Sequence, residues 1–362
     1  MNFPRNLFIE NANAEKRSAE YLTKTLNYID RLSAQNLPVI FSTKHLAQLL
    51  NIEYHELNNI IENRTYFYTY YLIKKRTKGH RRIIAPYSNI SEVQNWIKNN
   101  ILDNLTTNIN STAYQKGNSI SNNAKIHENN QVIFNIDLEN FFETITERRI
   151  YGVFKSIGYT KNVAIDLAKI CTTIISQEKF DDLNDDVKTH FEDYIKLNEC
   201  VLPQGACTSP TLSNLICRKL DIRLSKLANK LGIQYSRYAD DITFSGSLEK
   251  LPNIKLLKKI IEEEKFKVND NKVKLLKKGN RQMVTGLLVD GKVRVPQKYK
   301  KEIFRHLRFC EKFGGFTHFN KINPEKSFRK EWLHGKICFV HSVEPEIAKI
   351  MFQKLKDINW EK

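Results

Sequence analysis

The sequence of 362 residues reads as an α+β fold. Two observations carry that reading. Helical patterning fills most of the first 64 residues and returns from Pro296 to the end, whereas short β-patterned runs, several joined by turn residues, are concentrated between Thr65 and Val295. With 41% apolar and 27% charged residues, the chain has enough apolar side chain for a substantial core.

In the N-terminal stretch, Ser42-Thr43 followed by Leu46, Leu49, Leu50 and Ile52 predicts a capped short helix, and a second is expected over Glu56 to Ile61. The pair suits packing, with a DNA-reading helix-turn-helix as the alternative. From Thr65 the pattern turns aromatic and extended, Tyr66 to Ile73, and then densely basic, Lys74 to Arg82, before Ile83-Ile84 and Ala85-Pro86. Gly79 fits the turn of a hairpin whose arms display cations suited to a triphosphate or a nucleic-acid backbone. Val132 to Asp137 is a strand ending in an acid, and helical patterns run from about Arg149 to Ile175. Between Asp181 and Cys200, seven acids stand against two lysines, which predicts a surface insertion kept clear of a polyanion.

Leu202 to Pro210 is a turn-rich entry to a helix from about Thr211 to Lys230. Ile233 to Arg237 and Ile242 to Ser245 are two strands joined by Tyr238-Ala239-Asp240-Asp241, as a β-hairpin requires. A basic helix is expected over Ile254 to Lys265. A second hairpin is expected with Asp290-Gly291, a favoured tight-turn dipeptide, between Val284–Val289 and Lys292–Val295.

Charge narrows the partner. The chain carries 58 Lys+Arg against 40 Asp+Glu, a net of +18, which favours a polyanion and most economically nucleic acid, with an anionic membrane surface as the competitor. Residues 291–362 hold 17 of those cations against eight acids, so this helical end is the expected nucleic-acid-facing surface. No apolar stretch approaches the roughly 18 residues of a spanning helix, and Met1 to Glu20 lacks a signal-like apolar core, so a cytosolic protein with no membrane partner is expected. The cysteines at 171, 200, 207, 217, 310 and 338 have no CxxC pair and no zinc-type spacing, and read as reduced, mostly buried thiols.

Taken in order, strand-end Asp137 with Phe142 five residues on, Leu202-Pro203-Gln204-Gly205 with Thr208-Ser209-Pro210, and the Tyr-Ala-Asp-Asp turn resemble the palm motifs of reverse transcriptases. The basic hairpin Lys74 to Pro86 and the segment Ala113 to Ile120 are similar to the fingers motifs that precede them in that family. Asn123-Ala124-Lys125-Ile126-His127 and Val284-Thr285-Gly286 resemble two further signatures, NAxxH and VTG, of bacterial retron reverse transcriptases. Taken alone, Asn123 and His127 would suit a cap and a packed histidine.

The resemblance implies a right-hand polymerase fold: an N-terminal helical extension over 1–64, fingers over 65–135, a palm sheet over 136–295 with interleaved fingers elements and the acidic insertion 181–200, and a basic helical thumb over 296–362. It implies that Asp137, Asp240 and Asp241 hold two Mg2+ ions for deoxynucleotide addition, one activating the attacking hydroxyl and one neutralising the leaving pyrophosphate. Phe142 resembles the steric gate against a ribose 2′-hydroxyl, and Gln204 a residue lining the nucleotide pocket. Lys75 and Arg81 resemble the triphosphate-binding cations, with Arg76 and Arg82 as alternatives, and Lys272 a palm lysine near the phosphates or else a surface lysine. Asn123, His127, Val284, Thr285 and Gly286 would serve RNA binding or priming.

The partners implied are deoxynucleoside triphosphates, a cognate structured noncoding RNA that is template and 2′-hydroxyl primer, the RNA-linked single-stranded DNA product, and a separate effector protein in antiphage defence. Another bacterial defence or group II-like reverse transcriptase is the same-class alternative. A catalytically silent RNA-binding scaffold is the alternative from another class, and the three aspartates argue against it.

Overall fold

A computed structural model describes residues 3–75, 79–191, 197–322 and 327–361. Helices α1 (Arg5–Ala14), α2 (Ala19–Ser33), α3 (Thr43–Leu50) and α4 (Tyr54–Glu62) precede strands β1 (Tyr68–Lys74) and β2 (His80–Pro86) and helix α5 (Ser88–Asn100). Helix α6 (Ile120–Ile126) leads into β3 (Val132–Asp137). Then come α7 (Glu147–Ser156), α8 (Lys161–Cys171), β4 (Thr173–Ile174), α9 (Gln177–Asp181), α10 (Asp185–Phe191), β5 (Cys200–Val201) and α11 (Ser209–Ile216). The remainder is α12 (Arg218–Leu231), β6 (Gln234–Tyr238), β7 (Asp241–Gly246), α13 (Ile254–Glu263), β8 (Lys274–Lys277), β9 (Met283–Val284), β10 (Leu287–Leu288), α14 (Gln297–Phe313), α15 (Gly315–Ile322), α16 (Arg329–His341) and α17 (Pro345–Lys356). These elements form two compact units, Met1–Ile109 with Leu138–Ile222 and Lys258–Lys267, and Asn110–Asp137 with Arg223–Leu257 and Val268–Lys362.

In the first unit, α3 starts where its cap predicts: Ser42 Oγ accepts from the His45 amide at 3.1 Å. Strands β1 and β2 pair antiparallel from Tyr68↔Pro86 to Lys74↔His80, and the Lys75 amide bonds the Gly79 carbonyl at 3.0 Å. Arg76 and residues 192–196 of the acidic stretch lie outside the described residues. The rest of that stretch departs from a plain surface insertion. Helix α10 exposes Asp185 and Asp186, but its Phe191 is fully buried, edge-on to Tyr70 of β1 at 6.0 Å. A single fully buried aromatic outweighs the polar composition around it. The expected helix Thr211 to Lys230 is also two helices, α11 and α12, broken at Cys217.

The second unit is built on an antiparallel four-stranded sheet in the order β6-β7-β3-β8. Asn110 and Thr112 add main-chain bonds to the free edge of β6, both to Arg237 at 2.8 Å, so that edge is covered. The tight turn expected at Asp290-Gly291 forms instead at Thr285-Gly286. There β9 and β10 pair Val284↔Leu287, and both turn residues have positive φ, 47° and 84°. Val284 and Leu287 are both buried, and the core's demand for that register overrides the local preference of an Asp-Gly dipeptide. Around Asp290 the chain makes a wider loop closed by Leu288 and Arg294. One apolar core joins Ala124, Ile133, Val284 and Leu287 to Ile303, Leu307, Leu333, Ile337 and Met351 of the C-terminal helices. Glu344 ties this core together by accepting from the Val295 amide at 2.7 Å and from Lys300 Nζ at 2.8 Å, an ion pair almost closed to solvent. Among the described residues no helix is long and apolar enough to cross a membrane.

Candidate active site

Pleating sets the site. Asp137 is the last residue of β3 and Asp241 the first of β7, and they are cross-strand partners, so their side chains rise from the same face of the sheet. The next rung on that face is Asn135 with Thr243, joined by a 3.1 Å bond from Thr243 Oγ1 to Asn135 Oδ1. Tyr238 pairs with Asp241 across a two-residue turn of Ala239 and Asp240. Ala239 has φ of 58°, which costs a residue bearing a Cβ about 1–3 kcal/mol unless its surroundings hold it there. Arg237 supplies that hold. Its fully buried guanidinium donates to the Ala239 carbonyl at 3.0 Å and to Ser111 Oγ at 2.9 Å.

The carboxylates crowd one another. Asp241 is pushed up to about 7 by burial and by the negative charges of Asp240 and Asp137, against the opposing pull of Lys272 and Lys274. Water still reaches the Asp241 side chain at the strand end, so the two neighbouring carboxylates are the firmer of these causes. Lys272 is not a free surface lysine: its Nζ lies 2.8 Å from Asp137 Oδ1. Among the described residues, no three His, Cys, Asp or Glu side chains converge as a ready-made cation cage. The donors nonetheless fit a divalent ion: they are hard carboxylate oxygens, their charge is incompletely balanced, and the Lys272 ammonium stands in for a cation on one of them.

A groove of about 490 Å3 extends from these residues. Asp137, Asp241 and Tyr238 lie along it, with the cations Lys272, Lys274 and Arg281, and it is closed by Ile120 at the start of α6 and by the turn residues Thr285 and Gly286. Thr285 Oγ1 donates to the Ile120 carbonyl at 3.3 Å, joining the two walls. Thr285 and Gly286 thus share the groove with the aspartates.

Asn123, His127 and Val284, expected to serve RNA binding or priming, are closed to solvent. Their exposures are 1%, 0% and 1%. Val284 is a core side chain, fixed inward by the turn that follows it, while Asn123 Oδ1 and both His127 ring nitrogens engage the hydroxyls of Thr112, Ser236 and Ser245. Sequence spacing alone did not single out Arg237, Ser236 or Ser245. The available signal was the set of small hydroxyl side chains, Ser236, Thr243 and Ser245, recurring at alternate positions of the two strands that flank the turn.

The remaining candidates belong to the first unit. The Gln204 carbonyl accepts from the Ile84 amide at 2.9 Å, which docks the Leu-Pro-Gln-Gly loop against β2. Gly205, at φ of 152°, permits this approach, because a Cβ there would lie 2.6 Å from the Ile84 carbonyl oxygen. On the hairpin, Lys75 and Arg81 are exposed, while Arg82 donates to the His190 carbonyl at 2.9 Å. Phe142 is half-buried with its ring 5.3 Å from that of Phe141.

Comparison with known proteins accords with this geometry. The family described as reverse transcriptase (RNA-dependent DNA polymerase) matches residues 73–328. The retron Ec86 reverse transcriptase of Escherichia coli is 34% identical over 309 residues, covering 83% of this chain and 87% of its own length. Two Myxococcus xanthus proteins are similar over more of the chain. The retron Mx162 reverse transcriptase is 28% identical over 91% of this chain and 69% of its own. The retron Mx65 reverse transcriptase is 27% identical over 97% and 82%.

Proposed function

Because the chain belongs to the reverse transcriptase family, within its retron group, we propose that its RNA-directed DNA polymerase activity copies a cognate structured noncoding RNA that also supplies the primer. Synthesis would begin on a guanosine 2′-hydroxyl and yield branched, RNA-linked, multicopy single-stranded DNA. The observation that carries the polymerase chemistry is the cross-strand pair Asp137 and Asp241 lining a groove with three cations, Lys272, Lys274 and Arg281.

Asp137, Asp240 and Asp241 would hold the divalent metal, which we take to be two Mg2+ ions. When bound, such ions acidify the attacking hydroxyl and offset charge on the leaving pyrophosphate. The protein's own part is positional. The sheet register keeps Asp241 opposite Asp137, and Lys272, Lys274 and Arg281 line the path with positive charge for phosphates. Lys75 and Arg81 are proposed to bind the triphosphate, Gln204 to line the nucleotide pocket and Phe142 to exclude the ribose 2′-hydroxyl. Thr285 and Gly286 are proposed to meet the primer strand or RNA from the far wall of the groove, and the helices after Pro296, with 17 cations against eight acids over residues 291–362, to grip an RNA stem by its phosphates and 2′-hydroxyls. We further propose a bacterial cytoplasmic setting, in keeping with relatives from Escherichia coli and Myxococcus xanthus, and an antiphage role with a separate effector protein.

The test is expression with the flanking DNA, followed by denaturing gels of total nucleic acid before and after RNase and debranching treatment. A discrete DNA with a 2′-linked RNA is expected, and it should vanish in Asp240→Asn/Asp241→Asn. DNA synthesis that persists in the double variant refutes the site. A DNA product with no branched RNA refutes the priming mode and leaves the polymerase standing.

A further inference from the structure

The NAxxH segment ends in a buried polar network. His127 closes α6 and is fully enclosed, with Nε2 2.7 Å from Ser236 Oγ and Nδ1 2.7 Å from Ser245 Oγ. Asn123, one turn earlier, presents Oδ1 to Ser236 Oγ at 2.7 Å and to Thr112 Oγ1 at 2.8 Å. Each hydroxyl has one proton to give. A neutral imidazole donates through one nitrogen and accepts through the other, so His127 engages both serine hydroxyls at once. Burial holds the imidazole neutral, pushing it down to about 3.

Ser236 and Ser245 sit on β6 and β7 and alternate in step with Tyr238 and Asp241, so they share the sheet face of the aspartates. Ser236 precedes Tyr238 by two residues, about 7 Å along the strand. A one-residue slip of β7 would turn Ser245 to the opposite face and take Asp241 away from Asp137, and a slip of β6 would turn Ser236 away and take Tyr238 from Asp241. Imidazole suits the task because its two nitrogens point to opposite edges and reach both strands at once. No solvent path or exposed edge is left for a nucleic acid to use.

We propose that Asn123 and His127 are positioning residues of the polymerase site, holding β7 in the register that sets Asp241 opposite Asp137 and β6 in the register that sets Tyr238 opposite Asp241, rather than residues that touch RNA. The inference rests on the polymerase reading of the groove. It assigns the conformation of the Tyr-Ala-Asp-Asp turn to two supports: the α6 network along the strands and Arg237 beneath Ala239.

Full-length His127→Phe and the milder Asn123→Ala are compared with the unaltered chain on its cognate RNA and on poly(rA) primed with oligo(dT). Product-burst amplitude gives the active fraction, and RNA affinity is measured separately. The expected result is a kcat at least tenfold lower on both templates, with active fraction, nucleotide KM and RNA Kd each within threefold. Loss on the cognate RNA alone, or weakened RNA binding with kcat intact on poly(rA), would overturn the proposal in favour of RNA contact. A fall explained wholly by active fraction would reduce the network to a folding role and overturn it too. Long-range 1H–15N NMR of the imidazole in the unaltered chain gives an independent check, with a neutral ring expected at pH 5 and a ring titrating near 6.5 contradicting the buried bridge. If the unaltered chain makes no DNA on either template, the polymerase reading fails. If it does and both variants match it, only this inference fails.

Discussion

Replacing Gly205 by alanine probes how the Leu-Pro-Gln-Gly loop is held. The added Cβ would lie 2.6 Å from the Ile84 carbonyl oxygen and 3.1 Å from its carbon, whereas ordinary contacts begin at 3.4 Å. Both obstacles are backbone, and Ile84 is a fully buried residue paired with Tyr70, so the loop rather than β2 must retreat, by about 0.8 Å. That shift stretches the 2.9 Å bond from the Ile84 amide to the Gln204 carbonyl past useful range. Losing one such bond costs about 1 kcal/mol or more. Alanine at φ of 152° adds about 1–3 kcal/mol of backbone strain. Together these give roughly 2–4 kcal/mol, which for a unit of this size lowers Tm by at least about 4 °C. Gly152→Ala in α7 is the control: nothing lies within 4 Å of its added Cβ, and helix propensity should raise stability by roughly 0.5–1 kcal/mol. The assay is thermal unfolding alongside nucleotide KM, which should rise at least about fivefold as Gln204 moves. A Gly205→Ala protein that melts within 1 °C of the parent with the same KM would refute the close-approach argument.

Two further outcomes are expected. Phe142→Ala should admit ribonucleotides, measured as the ratio of kcat/KM for deoxynucleotide over ribonucleotide, and an unchanged ratio would remove Phe142 from the gate role. Acid should destabilise the sheet unit through His127, whose folded-state value of about 3 lies below the ordinary 6.5. A depressed histidine stabilises above its unfolded value, and that contribution is lost as pH falls from about 6.5 toward 3. Between pH 7 and pH 5 the loss is about 2 kcal/mol. Asp241, pushed up to about 7 in the same unit, contributes a change of opposite sign over this interval, so the readout is the difference between the unaltered chain and His127→Gln at the two pH values, which chemical unfolding should show as about 2 kcal/mol. A variant whose stability changes with pH as the unaltered chain's does would refute the contribution assigned to His127.

The aspartates were legible because the signal is local. A strand ending in acid and a two-residue turn between alternating runs dictate which face Asp137 and Asp241 occupy, whatever the rest of the chain does. The role of His127 was not legible for the opposite reason: its partners Ser236 and Ser245 lie more than a hundred residues away, and only the packed sheet brings them to α6. The same holds for Val284-Thr285-Gly286, where Asp290-Gly291 competes as the better turn by local preference. The pair that won has Val284 and Leu287 on either side, both needed in the core. Phe191 teaches the converse lesson. A strongly acidic stretch can be anchored by one apolar side chain that composition does not reveal.

The interleaving of the two units has a consequence for synthesis on the ribosome. The chain passes from one unit to the other at five points, so neither unit is complete until segments far apart have all emerged. Strand β3, with Val132, Phe134 and Ile136 on one of its faces, leaves the ribosome about a hundred residues before its partner β7. At about 5–20 residues per second, that apolar strand waits roughly 5–20 s with both edges open. The nascent chain should therefore engage holding chaperones most strongly between the emergence of Asp137 and that of Gly246. Slowing translation within that interval should lower the yield of active protein more than slowing it after Lys277, where the last strand of the sheet is already made.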